Sequence, residues 1–61
     1  MNYEELPKDP FMLLSFVNMK LRDEYSSIDE MCSDMDIDKE SLTNTLQAAG
    51  FTYDSALNKF F

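Results

Sequence analysis

Between Ser26 and Phe51 the chain carries two helix starts and one helix stop within a single short run. Ser27 and Glu30 have the S-x-x-E spacing of a capping box, in which each side chain satisfies a backbone N–H that the first turn leaves unpaired. Ile28, Met31, Cys32 and Met35 follow at the spacing of one apolar helix face. Asp38 suits the N-cap of a further helix, and Ile37 before it with Leu42 after it forms a hydrophobic staple. Leu42, Thr45, Leu46 and Ala49 would line its inner face. Gly50 then stands where a left-handed residue ends a helix, and Phe51 can fold back onto Leu46. The spacing predicts helices over 27–36 and 38–49, joined by Asp36, Ile37 and Asp38, the short connection of a helix-turn-helix.

The flanks add one element each. Residues 1–8 form a short arm with Tyr3 and Leu6 as apolar points. Asp9 as N-cap and Pro10 at the first helical position predict a helix over 9–25, with Leu14, Val17, Leu21 and Tyr25 as a core stripe and Leu13 alongside. After the glycine, Phe51 and Tyr53 alternate with Thr52 and Asp54, "DSALN" supplies turn formers, and "KFF" returns, which predicts a hairpin over 51–61. A fourth short helix capped by Asp54 is the rival reading of 54–61. The expected fold is mainly α: one domain over 1–61, three helices in helix-turn-helix-like order and a small, wing-like C-terminal β-hairpin.

Length limits what else the chain can do. In a chain of 61 residues, ordering costs of roughly 1.5 kcal/mol per residue nearly cancel what apolar burial returns. One cysteine excludes an intrachain disulfide, and with no histidine Cys32 has no companion for a structural zinc site. No metal or cofactor is expected, and self-association is the remaining support. A lone cysteine suits a reducing compartment. The opening "MNYEELPKDP" lacks the basic and apolar regions of a secretory signal. The longest apolar-rich run, "FMLLSFVNMKL", is too short and interrupted to span a bilayer. A cytoplasmic location without membrane contact is the expectation.

Charge argues against the DNA-reading use of a helix-turn-helix. Lys39, Ser41, Thr43, Asn44 and Gln47 would face outward from the third helix, and such side chains can read base edges. Phosphate contacts supply most of the affinity, however, and they need Lys or Arg. From Asp23 to Glu40 eight acidic residues stand against Lys39 alone, so the whole net charge of −7 sits on that side. A trihelical scaffold with a solvated acidic face is the reading preferred over nucleic-acid binding. Asp34, Asp36 and Asp38 imitate the start of a calcium loop, but Lys39 stands where glycine is needed and Thr45 where glutamate is needed. Catalysis has little to build on. Cys32 lies on an apolar stripe, no histidine is present to activate it or a serine, and no small-molecule ligand is implied. The expectation is not an enzyme.

One feature exceeds what a core needs. Met12, Phe16 and Met19 form a second stripe on the first helix, nearly opposite the Leu14/Val17/Leu21 stripe. The arm (Tyr3, Leu6) and the tail (Phe60, Phe61) supply one cover for it. A protein partner or a second copy in a homodimer supplies the other, since methionine and aromatics are over-used on such surfaces.

Three stretches, "LPKDPFMLLSFVNMKLRDEY", "SIDEMCSDMDIDKESL" and "YDSALNKFF", carry a resemblance that covers nearly the full length. The chain resembles a family of short bacterial proteins classed as a domain of unknown function, family 4250. "LPKDP" followed by "MLLSFVN" and "KLRD" is its most particular part, and Tyr53, Asp54, Asn58 and Phe60 match the family's Y-D-x-x-x-N-x-F ending, which suits a hairpin. The resemblance implies a bacterial, cytoplasmic protein complete in itself, and implies no activity. The leading functional expectation is a non-enzymatic protein-interaction or self-association module using Met12, Phe16 and Met19. The alternative is a winged helix-turn-helix-like protein associated with transcription or DNA, using Lys39, Ser41, Thr43, Asn44 and Gln47.

Overall fold

The computed structural model of the chain describes residues 6–61, so Tyr3 and the rest of the arm before Leu6 lie outside the described residues. The elements run α1 (Pro10–Asp23), α2 (Ile28–Met35), α3 (Lys39–Ala48), β1 (Tyr53–Asp54) and β2 (Lys59–Phe60). The fold is mainly α, three helices closed by a two-stranded antiparallel hairpin.

Pro10 sets the start of α1. Asp9 precedes it with extended backbone (φ −73°, ψ 125°), but its side chain makes no capping bond. The fixed φ and missing N–H of proline are sufficient at that position. The helix ends at Asp23, short of Tyr25, because the Lys20 carbonyl accepts the N–H groups of both Glu24 (2.8 Å) and Tyr25 (3.0 Å). Ser27 caps α2 as its spacing demands, its Oγ accepting the Glu30 N–H at 3.1 Å. The reciprocal half of the box is displaced by one residue. The Glu30 carboxylate accepts from the N–H (3.4 Å) and the hydroxyl (3.1 Å) of Ser26, which offers two donors for two oxygens.

Asp36 ends α2 in the left-handed region (φ 56°, ψ 49°), and the Ile37 N–H returns to the Cys32 carbonyl at 2.8 Å. Asp38 caps α3, its Oδ2 accepting the Ser41 N–H (3.2 Å) and hydroxyl (2.7 Å). Ile37 and Leu42, the two ends of the staple, are both buried. At the far end the Gly50 N–H donates to Gln47 (3.0 Å) and the Phe51 N–H to Leu46 (2.9 Å), the two bonds of a Schellman motif. A Cβ on Gly50 would meet nothing within 4 Å, so its φ of +96° is what requires glycine.

Residues 51–61 form the hairpin and not a fourth helix. Tyr53 pairs with Phe60 and Asp54 with Lys59, while Thr52 and Phe61 exchange both backbone bonds at 3.0 Å. Asp54 Oδ1 accepts the N–H groups of Ala56 (2.8 Å) and Leu57 (3.2 Å), which turns the chain at once, and Asn58 closes the turn at φ +53°. The core joins Leu13, Val17 and Leu21 of α1 to the apolar faces of α2 and α3, with Leu6 and Phe60 sealing it. Leu13 takes the central place expected of Leu14, and Leu14 and Tyr25 are half-buried at its margin. Thr45, expected inside α3, is exposed and donates its hydroxyl to the Ser41 carbonyl at 2.9 Å. The most extensive contact of α1 is with β2.

Candidate functional site

The outer face of α1 begins with Met12, 63% exposed, and Met19, 42% exposed. At about 100° per residue the two lie within roughly 20° of one another, on the side away from Val17. Phe16 stands on the same side, about 40° from Met12 and about 60° from Met19 on the same count, but it is half-buried and packed on the margin of the core. The Lys20 ammonium stands 5.7 Å from its ring centroid while pairing with Glu24 at 2.6 Å. Neither tail phenylalanine covers the methionines: Phe60 is buried in the core, and Phe61 is 58% exposed beneath the Lys59 ammonium at 5.2 Å. Leu6 is buried as well, and Tyr3 lies outside the described residues.

The opposite flank of α1 holds the hairpin through a polar network that the sequence reading did not single out. Asn18 presents both ends of its amide to the backbone of one residue: Nδ2 donates to the Phe60 carbonyl (2.9 Å) and Oδ1 accepts the Phe60 N–H (2.8 Å). Asn58 reaches back to the end of α1, where its Nδ2 donates to the carbonyls of Leu21 (3.1 Å) and Tyr25 (3.0 Å). Its Oδ1 accepts the Tyr53 hydroxyl at 2.7 Å, and that hydroxyl in turn accepts the Ile28 N–H at 3.4 Å, at the start of α2. These side chains pair with backbone groups that a helix end and a strand edge would otherwise leave unsatisfied. The polar groups of Asn18, Tyr53 and Asn58 are thereby committed to the fold. Tyr53 and Asn58 stand out in the sequence as part of the Y-D-x-x-x-N-x-F ending, whereas Asn18 is a lone asparagine at the edge of an apolar stripe.

Between α1 and the hairpin turn lies a groove of about 660 Å³. Leu14, Met19 and Leu57 give it apolar walls, Arg22 and Lys59 stand along it, and the amides of Asn18 and Asn58 line it. Leu57 is 59% exposed. Met19 belongs both to this groove and to the outer face of α1, so the two surfaces are continuous. Phe11, the remaining exposed aromatic of α1, meets Phe51 edge-on at 5.5 Å.

The residues considered for nucleic acid are spread over α3 and partly occupied. Lys39 pairs with Asp29 at 2.7 Å, a bond that raises the lysine's pKa. Ser41 is taken up by Asp38, Thr43 is half-buried, and Asn44 and Gln47 are exposed. The single cation of that region is therefore already neutralised. Among the described residues no three Cys, Asp or Glu side chains gather into a metal-holding group. Cys32 is buried, and burial pushes its thiol pKa up, with Asp29 adding to the effect. At the α1–α2 junction the Tyr25 hydroxyl donates to Asp34 at 2.6 Å, which pushes the phenol up to about 12. No helix among the described residues is long and apolar enough to cross a membrane.

The four residues of the Y-D-x-x-x-N-x-F ending now have structural roles. Tyr53 and Asn58 tie the hairpin to α1 and α2, Asp54 turns the hairpin, and Phe60 closes the core. No curated protein and no solved structure matches the chain. Residues 7–60 match the family described as Domain of unknown function (DUF4250), and over that length the chain belongs to it.

Proposed function

We propose that the chain is a small, non-enzymatic protein-interaction module that docks a protein partner, or a second copy of itself, on the outer face of α1. One observation carries this reading: Met12 and Met19 are exposed on one helical line, whereas Met31 and Met35 are buried. Methionine adapts its shape to a partner, and exposed apolar surface on a small domain marks contact sites. The polar side chains point the same way. Asn18, Tyr53 and Asn58 are spent on backbone bonds, and the buried Cys32 thiol is held protonated. A single cysteine suits a reducing, cytoplasmic setting.

The test is molecular mass by light scattering on a sizing column over a range of concentrations. A mass near twice the chain's 7.1 kDa, returning to the monomer in Met12→Glu/Met19→Glu, supports self-association. A monomer that captures a protein partner and loses it with the same substitutions supports docking. Mass and capture both unchanged by the double substitution would remove the α1 face. Phe16→Glu is a poorer probe, because Phe16 packs on the core and its replacement changes stability together with the surface.

The order of three helices and a terminal hairpin suits one second reading, a winged helix-turn-helix protein associated with transcription. Salt-dependent retardation of duplex DNA would support it. No retardation at low salt with micromolar protein would remove it.

A further inference from the structure

We infer that the groove between α1 and the hairpin turn receives an acidic, apolar segment of a protein partner. The inference rests on the interaction reading above and adds the chemistry of the partner. Its starting point is an uneven distribution of charge. The chain has twelve acidic and five basic side chains, yet Arg22 and Lys59 line this groove and no carboxylate among the described residues does. The acidic excess runs from Asp23 to Glu40 and begins at the edge of the groove, where Asp23 pairs with Arg22.

Both cations are held in place by neighbours. Arg22 is 75% exposed at its side chain and braced by Asp23, which accepts from Nε at 2.9 Å and Nη2 at 3.2 Å. Its other guanidinium donors make no further bond among the described residues. The Lys59 ammonium rests over the Phe61 ring at 5.2 Å. Leu57 stands on a turn fixed by Asp54 and Asn58, so presenting it to a partner costs little ordering. The amides of Asn18 and Asn58 are committed to backbone and leave the groove its apolar wall, the Lys59 ammonium and the guanidinium donors of Arg22 that Asp23 does not take. The complement is a large apolar side chain flanked by carboxylates. The acidic run from Asp23 to Glu40 repels such a segment, because like charges brought together at an interface are costly, and so favours the groove, whose lining holds Arg22 and Lys59.

The experiment is selection of random dodecapeptides displayed on phage against the whole chain, followed by binding of the synthetic winners by fluorescence anisotropy. The expected winners set Leu, Phe or Met beside Asp or Glu. Their affinity falls about tenfold or more in Arg22→Glu/Lys59→Glu and falls again as salt rises. Lys8→Glu/Lys39→Glu, an equal change of net charge outside the groove, leaves affinity nearly unchanged. Circular dichroism confirms that each variant is folded. Neutral or basic winners, or acidic winners that survive the reversal of Arg22 and Lys59, overturn the inference. If those winners are still lost in Met12→Glu/Met19→Glu, the interaction reading stands and only the partner's chemistry falls. No winners from a strictly monomeric chain removes both.

Discussion

At the starts of α2 and α3 the stabilising side chains act on their own neighbourhood: Ser27 on the Glu30 N–H and Asp38 on the Ser41 N–H, each three residues along the chain. At the contact between α1 and the hairpin, Asn18 and Asn58 act on backbone 33 to 42 residues away. The first kind of bond forms whenever a helix starts, and it costs little chain entropy. The second kind closes most of the chain into a loop before it returns anything, and it exists only in the complete fold. The two regions should therefore respond differently to substitution. Damage at a cap weakens one helix end. Damage at the asparagine clamp releases the hairpin, takes Phe60 out of the core, and affects the whole molecule.

The largest expected effect is at Asn58. Asn58→Ala removes bonds to Leu21, Tyr25 and Tyr53 and puts a Cβ residue with no local polar partner at a left-handed φ. At about 1 kcal/mol for each part-buried bond and a further ~1 kcal/mol for the backbone, the loss is about 4 kcal/mol, comparable to the whole stability of a domain this small. Asn58→Gly tolerates the φ and isolates the bonds, with an expected cost of about 3 kcal/mol. Urea unfolding followed by circular dichroism reads both. A cost below about 1 kcal/mol for Asn58→Ala would mean that water replaces the clamp, and the contrast between the two regions would fail.

A smaller effect is expected at the local signals. Ser27→Ala and Asp38→Ala should each cost about 1 kcal/mol, the usual worth of an N-cap. Asp36→Gly should work in the other direction. Asp36 holds a left-handed conformation at φ 56°, so glycine there should stabilise by about 0.5–1 kcal/mol. The midpoints of urea unfolding should move with unchanged slope, because the folded and unfolded surfaces are the same. If a cap substitution cost as much as Asn58→Ala, the α2–α3 turn would be as cooperative as the clamp.

The same division explains how much was legible in the residues. Ser27, Asp38, the Ile37/Leu42 staple and the Gly50 stop each act within a few positions, so spacing alone placed α2, α3 and the Schellman end. The hairpin followed from alternation after Gly50. What spacing could not give was any pairing at long range. Asn18 looks like an ordinary polar residue, and Asn58, although part of the Y-D-x-x-x-N-x-F ending, shows no partner until Phe60 and the end of α1 are brought to them. Periodicity also misassigned side chains near the margin of a face. A helix of 3.6 residues per turn leaves both Leu13 and Leu14 as candidates for the core, and only packing decides between them. Of the candidate surface, Met12 and Met19 were readable as surplus apolar residues. The groove was not, because Leu57, Lys59 and Arg22 meet only after the hairpin turns back.

The smallest effect tests a bond that belongs to neither class. Tyr25 follows α1, Asp34 lies within α2, and their 2.6 Å contact bridges the corner between two helices that the capping bonds do not join. Donation to Asp34, with burial second, raises the phenol to about 12 from its usual value near 10. The folded pKa therefore exceeds the unfolded one. Whatever stability this bond supplies is fully present below pH ~10 and is lost as the pH rises through about 12. Ultraviolet titration of the folded chain at alkaline pH should show one of its three tyrosines ionising last. Tyr25→Phe should delete that last step, and Asp34→Asn should move it down toward pH ~10. A last step that survives Tyr25→Phe would place the strained proton elsewhere and leave the α1–α2 corner to apolar packing alone.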